Sequence, residues 1–262
     1  MEIFLACLFL GALAGLSAGL FGIGGGALIV PILSWLLALQ TFEPTQIMLV
    51  SVATSLATAL FTSTASVLTH HKLGNIDWRR ALHLAPSLLI GAALGSIVAE
   101  YLSANLLRGC FISYLLYTSA QMALPKPPIT APIPPKRGTL DVPMGLLIGL
   151  LSAILGIGGG TMSVPYLVGR GLPMKNAVAT SSTCALPITL SAAISYIVLG
   201  WQSPDLPAGS LGYLYLPAFA GIVATSVFTA PLGAKLAHRL PAQQLKRYFA
   251  IVLLLIALKM AI

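Results

Sequence analysis

The chain has 262 residues, of which 57% are hydrophobic and only 8% charged, with a mean hydropathy of +0.94. An average soluble domain is about one-quarter charged, so the composition excludes one and defines an integral membrane protein. The net charge of +8 does not point to nucleic acid, because most of the charges stand at the ends of apolar runs, where Lys and Arg set membrane orientation.

The first apolar run, 3–21, is close to the roughly 20 residues that a membrane-spanning helix needs. It reads as a membrane segment rather than a secretory signal, which carries a basic n-region; residue 2 is Glu, and Lys72 is the first Lys or Arg. The run gives way to "GLFGIGGGALIVP", where Gly22, Gly24, Gly25 and Gly26 predict a break, and a shorter apolar piece follows at 27–39. Runs at 47–69, 82–101 and 104–124 complete this half. Next comes "LPKPPITAPIPPKRG", whose six prolines exclude a continuous helix and predict an extended linker over 124–140. Beyond it lie a run at 141–155, a second glycine cluster (Gly156, Gly158, Gly159, Gly160), a short piece at 161–168, and runs at 176–199, 211–234 and 246–262. Continuous apolarity predicts helices, since the strands of a membrane barrel alternate apolar with polar. Cys7, Cys110 and Cys184 each sit in an apolar run without metal-ligand spacing, and each is expected to be a buried, unpaired thiol.

The halves repeat one another. Gly22–Gly26 matches Gly156–Gly160, "VATS" at Val52–Ser55 matches "VATS" at Val178–Ser181, and Gly95, Ala104 and Phe111 match Gly233, Ala242 and Phe249, with shifts of 134, 126 and 138 residues. The charges relate the copies. The loop after the first glycine segment has no Lys or Arg, whereas its counterpart carries Arg170 and Lys175; the next loop carries Lys72, Arg79 and Arg80, whereas its counterpart has only Asp205. If basic loops are cytoplasmic, matching loops lie on opposite faces. The expected fold is an all-α polytopic membrane protein of two inverted repeats, 1–123 and 141–262, each a Gly-broken hairpin plus three transmembrane helices. Both termini are then external, with twelve of the fourteen Lys and Arg inside and only Arg108 and Lys259 outside.

Backbone that leaves helical geometry inside a bilayer is tolerated only where protein or a watery cavity surrounds it. Inverted-repeat transporters bind substrate at such broken helices, whose N-terminal ends carry partial positive charge and free N–H donors. Helices restarting at Ala27 and Thr161 would suit an anion without a buried lysine. The VATS segments add hydroxyls: Thr54, Thr58 and Thr62 recur every four residues on one helix face, with Ser51 and Ser55 beside them, and Thr180, Ser181, Ser182 and Thr183 lie on the matching helix. Two other readings compete. Glycines let helices pack closely, and hydroxyls bond back to the preceding turn. "GIGGGA" as a dinucleotide-binding element fails, because no βαβ unit surrounds it. No carboxylate is placed in mid-membrane, and His70, His71, His83 and His238 map to inner helix ends. No nucleophile–base–acid set or metal cluster can be assembled, so neither catalysis nor a cofactor is expected.

Together the paired "GIGGG…P" segments, the VATS repeats and the central linker resemble the TauE/SafE family of membrane permeases, also called sulfite exporters. The resemblance implies a multi-pass carrier of a bacterial or archaeal inner membrane that moves sulfite, organosulfonates or other small sulfur-containing anions. The family's glycine motif falls on Gly22, Gly24, Gly25 and Gly26 and on Gly156, Gly158, Gly159 and Gly160, and its Thr/Ser stretch on Thr54, Ser55, Thr180 and Ser181. With Thr58 and Thr161 these form the expected substrate-binding set. The expected partners are the small anion and the lipid bilayer, with no nucleic acid; the oligomeric state stays open. A non-transporting membrane scaffold or an anion channel is the alternative. In the second VATS helix, Pro187 breaks the resemblance between halves and is expected to kink it.

Overall fold

The computed structural model describes residues 2–21, 25–40, 42–123, 140–203, 206–236 and 242–261. Gly22, Gly24, Asp205, His238 and all of the expected linker except Leu140 lie outside them. The described residues form ten α-helices: α1 (Glu2–Phe21), α2 (Gly26–Ala38), α3 (Pro44–Lys72), α4 (Trp78–Tyr101), α5 (Ala104–Ala123), α6 (Asp141–Leu155), α7 (Gly160–Gly169), α8 (Met174–Leu199), α9 (Leu216–Leu236) and α10 (Ala242–Ala261).

Local chemistry sets several boundaries. Pro44 stands in the first turn of α3, where its missing N–H would have no partner anyway. At the other end, His70, His71 and Lys72 occupy the last turn, where positive charge complements the exposed carbonyls. Asp77 caps α4 by accepting from the Arg80 N–H at 3.1 Å, a bond that satisfies one otherwise orphaned donor. Helix α8 runs unbroken through Pro187. The run expected at 211–234 starts late, because residues 210–215 form a short antiparallel hairpin of β1 (Ser210–Leu211) and β2 (Leu214–Tyr215), turning at Gly212.

Among the described residues, four helical segments are long and apolar enough to cross a bilayer: Pro44–Lys72, Trp78–Tyr101, Met174–Gln202 and Leu216–Leu236. The expected crossings at 104–124 and 246–262 are helical as α5 and α10, but they fall outside this set. Helix α5 carries Arg108, Ser113, Tyr114, Thr118, Ser119 and Gln121, and the part of α10 whose side chains are described, Ala250–Ala261, is a short apolar stretch. The distribution of polarity is that of a protein in lipid. Ser51, Thr54, Ser55, Thr58, Thr62, Ser63 and Ser66 of α3 and Thr180 to Thr183 of α8 are buried, while Phe9, Leu82, Ile90, Val198, Phe228 and Leu255 face outward. Such an apolar exterior is rare on soluble monomers. Two thiols follow expectation, Cys7 and Cys184 being buried, but Cys110 is exposed. His70 is buried in the last turn of α3 rather than interfacial, unlike His71.

The most extensive packing joins distant parts of the chain. Helix α1 lies along α9, α4 along α6, α3 against α8, and α5 against α10; α4 also packs on α8 and α3 on α9, while α2 rests on α3 and α7 on α8. Exchanging each helix for the one five places away maps these pairings onto themselves. The glycine seats follow the same exchange. A Cβ on Gly95 would lie 2.3 Å from the Leu150 carbonyl oxygen, and one on Gly233 would lie 2.2 Å from that of Leu16. Glycine at these points lets backbones touch, the usual means by which helices associate in lipid.

Candidate substrate site

The second glycine cluster is a turn between α6 and α7, and the described end of the first, Gly25 and Gly26, opens α2. Helix α2 begins after Gly25, which has φ +78°, and α7 begins after Gly159, which has φ +77°. These left-handed angles penalise a side chain by roughly 1–2 kcal/mol, so glycine at 25 and 159 is a backbone requirement. Neither helix start has a side-chain cap, which leaves backbone N–H groups at both starts to meet another partner.

The two turns meet. A Cβ on Gly26 would stand 2.2 Å from the Gly156 carbonyl oxygen and 2.9 Å from Ile157 Cα, so the tips pack backbone to backbone. Ser55, from the first VATS segment, donates to that Gly156 carbonyl at 2.8 Å, and Ser181, from the second, donates to the Gly160 carbonyl at 3.4 Å. Gly26, Gly156, Gly160, Ser55 and Ser181 are thus brought together. Gly158 lies within the second turn, between Gly156 and Gly159. Thr58 donates to the Ser55 carbonyl one turn back.

Thr54 and Thr180 stand apart from the tips and do matching work. Thr54 accepts from the backbone N–H of Tyr215 at 3.1 Å, just before α9, and Thr180 accepts from that of Asp77 at 3.0 Å, just before α4. Each VATS threonine therefore pins the start of the fourth helix of the other half. Both are fully buried.

The second turn carries polar groups that the first lacks, and sequence reasoning missed them. Ser152 of α6 and Ser163 of α7 are buried, and among the described residues their hydroxyls have no partner. They converge beside the start of α7: a Cβ on Gly159 would lie 3.2 Å from Ser152 Oγ and 3.7 Å from Ser163 Oγ. The repeat places Ala18 and Ile29 at the matching positions of the first half. Tyr114 of α5 hydrogen-bonds the Thr161 hydroxyl, and Tyr196 of α8 donates to the Ala153 carbonyl at 3.0 Å near the end of α6. A tyrosine inside an apolar run was the available signal for these two, because a buried phenol needs a partner. The serines gave none, since one orphaned hydroxyl looks like any other in sequence.

At the end of the bundle where α3 finishes and α4 begins, charge ties the second hairpin down. Asp141, opening α6, pairs with Arg170, closing α7, at 2.8 Å, and it also accepts from Tyr166. His83 Nε2 of α4 lies 3.8 Å from the same carboxylate. Arg80 donates to the Arg170 carbonyl at 3.1 Å and pairs with Asp77 at 3.3 Å. The Tyr166 hydrogen bond holds the Arg170 guanidinium above its ordinary pKa, with Asp141 adding to it, so Arg170 stays charged at any physiological pH. The first half has Cys7, Ile32 and Leu36 where the second has Asp141, Tyr166 and Arg170.

An all-α bundle with an apolar exterior, a hydroxyl-lined interior and two uncapped helix starts meeting at glycine turns defines a polytopic membrane protein of the transporter kind. The family described as sulfite exporter TauE/SafE matches residues 7–260, and the chain belongs to it. A Haemophilus influenzae protein named "Probable membrane transporter protein" is 40% identical over 259 residues, covering 98% of this chain and 97% of its own. A Methanocaldococcus jannaschii protein likewise named a probable membrane transporter protein is 27% identical, over 91% of this chain and 88% of its own. Bacillus subtilis YunE, with the same description, is 25% identical over 97% and 95%. No solved structure matches significantly.

Proposed function

We propose that the protein is a secondary carrier of small sulfur-containing anions such as sulfite or organosulfonates, working by alternating access between two inverted repeats, 1–123 and 141–262, joined by the 124–140 linker. The observation that carries the reading is the uncapped start of α7 beside two buried, unpartnered hydroxyls, Ser152 and Ser163, in a turn that touches its counterpart from the other half. Backbone N–H groups at a helix start and neutral hydroxyls together make a cradle for an anion. No Lys, Arg, Asp or Glu is among the buried residues described, so a bound oxyanion would be held by neutral donors and released readily.

The expected set (Gly22, Gly24, Gly25, Gly26, Thr54, Ser55, Thr58, Gly156, Gly158, Gly159, Gly160, Thr161, Thr180, Ser181) is proposed as the substrate region, with Ser152 and Ser163 added. The exchange symmetry of the packing and the duplicated threonine pins support the repeat. The sulfur class comes from the family's description, the inner-membrane location from what the family resemblance implies, and the external termini from the loop charges. The test is reconstitution in liposomes with measured sulfite and organosulfonate flux. Flux of either supports the reading; none of any such anion in either direction overturns the sulfur assignment.

A further inference from the structure

At the end of the bundle opposite the Asp141–Arg170 cluster, a cavity of about 400 Å³ opens between α2, the start of α3, the start of α5 and the end of α10. That volume falls in the range of small-molecule sites, roughly 300–1,000 Å³. Its walls are mostly apolar, with Pro31, Trp35, Met48 and Ile256 among them, and its polar members include Asn105, Arg108 and Lys259. Arg108 and Lys259 are the two cations that the charge pattern sets apart from the other twelve, and the fold, drawing on α5 and α10, delivers both to one cavity.

Each cation is held in place by a neutral group. Arg108 Nε donates to the Met260 carbonyl at 2.7 Å, fixing the guanidinium against the end of α10, and Lys259 Nζ lies 4.0 Å over the ring of Trp35. Neither partner cancels a charge. Among the described residues, no carboxylate lines the cavity and neither cation forms a salt bridge. Two uncompensated positive charges against low-dielectric walls focus a field that attracts anions. The cavity also follows α2 from Ala38 to Pro31, roughly 10 Å along a helix, and Pro31 is five residues from Gly26, where the turns meet.

We infer that Arg108 and Lys259 form an anion-capturing vestibule that takes a soluble organic oxyanion with a short apolar body, its head between the cations and its body against Trp35 and Ile256. The inference deepens the carrier reading above and rests on it for its purpose, though not for its chemistry. A phospholipid phosphate offers the same head-group chemistry, so the test separates the two sources.

The substitutions W78F and W201F leave Trp35 as the single tryptophan. In phosphatidylcholine nanodiscs, ethanesulfonate should then change its fluorescence saturably as the anion draws Lys259 from the ring. K259Q and R108Q should each weaken that binding at least tenfold, while K259R retains it; K259Q leaves the Arg108 bond to α10 untouched, so it reports even if R108Q loosens the helix. A response that is absent, as strong in both K259Q and R108Q as in the parent, or produced only by adding phosphatidylglycerol overturns the vestibule. Sulfite and organosulfonate flux in liposomes keeps the two readings apart: ethanesulfonate binding without flux of any such anion supports the vestibule and overturns the sulfur-anion carrier, whereas flux without this binding overturns the vestibule alone.

Discussion

Replacing Gly26 with alanine tests the meeting of the two turns through the sign of its effect. Gly26 opens α2, and its φ is not among the positive ones, so alanine meets no backbone strain there. On helix propensity alone the change would stabilise, by up to about 1 kcal/mol. The neighbouring turn reverses this. The new Cβ would stand 2.2 Å from the Gly156 carbonyl oxygen and 2.9 Å from Ile157 Cα, both backbone, so one tip must withdraw by about 1 Å. Overpacking of this kind costs about 1–3 kcal/mol, and the displaced carbonyl also loses the Ser55 hydrogen bond, worth about 1 kcal/mol. The expected net loss is about 2 kcal/mol, or about 4–8 °C in melting temperature for a chain of this size, with flux reduced at least tenfold. Melting in detergent micelles and flux in liposomes measure both. G74A serves as the control, because Gly74 has φ +67° but open space around it: it should lose about 1–2 kcal/mol and keep transport. S55A should cost less in the G26A background than alone, since the two share a contact. A G26A protein as stable as the parent, with full flux, would refute the contact between the turns.

S152A and S163A should each leave the melting temperature unchanged or raised, because each removes a buried unpaired donor, yet lower anion flux severalfold; unchanged flux would remove these serines from the site. T54V and T180V should each cost about 1–3 kcal/mol by stranding one part-buried N–H, and by similar amounts, since Tyr215 and Asp77 are held alike; melting curves that differ grossly would count against the matching geometry. D141N should loosen the α6–α7 hairpin by about 1–3 kcal/mol through loss of charge-assisted bonds to Arg170, read as faster hydrogen exchange in 160–170, and protection equal to the parent would show the cluster to be passive.

Most of the helical plan was legible. Continuous apolar runs placed the elements within a few residues, and the glycine clusters marked both turns, because glycine at Gly25 and Gly159 answers to a local backbone angle that any sequence segment must declare. The offset of 138 pairs Gly95 with Gly233 in sequence, and the fold seats a neighbouring backbone on each of them. Local reading failed where the partner is far away. Asp141 and Arg170 are separately ordinary, and Ser152 becomes notable only when folding leaves its hydroxyl unmatched beside Gly159. The β1–β2 hairpin was absorbed into an apolar run because Leu211, Tyr213 and Leu214 are as greasy as the helix that follows. Cys110 was read as buried from its neighbours, but α5 packs chiefly on α10 and leaves that side of the helix uncovered.

The seating of α1 on α9 and of α4 on α6 has a consequence for how the chain is made. Helix α1 waits for α9, made much later, and α4 enters the bilayer before the strip of α6 that fits Gly91 and Gly95 exists. Neither half can finish its own packing, so a fragment ending near residue 123 would sit in the membrane with two glycine-rich ridges bare. Assembly must therefore close late and all at once, and the two halves expressed as separate chains should rescue one another where either alone is degraded.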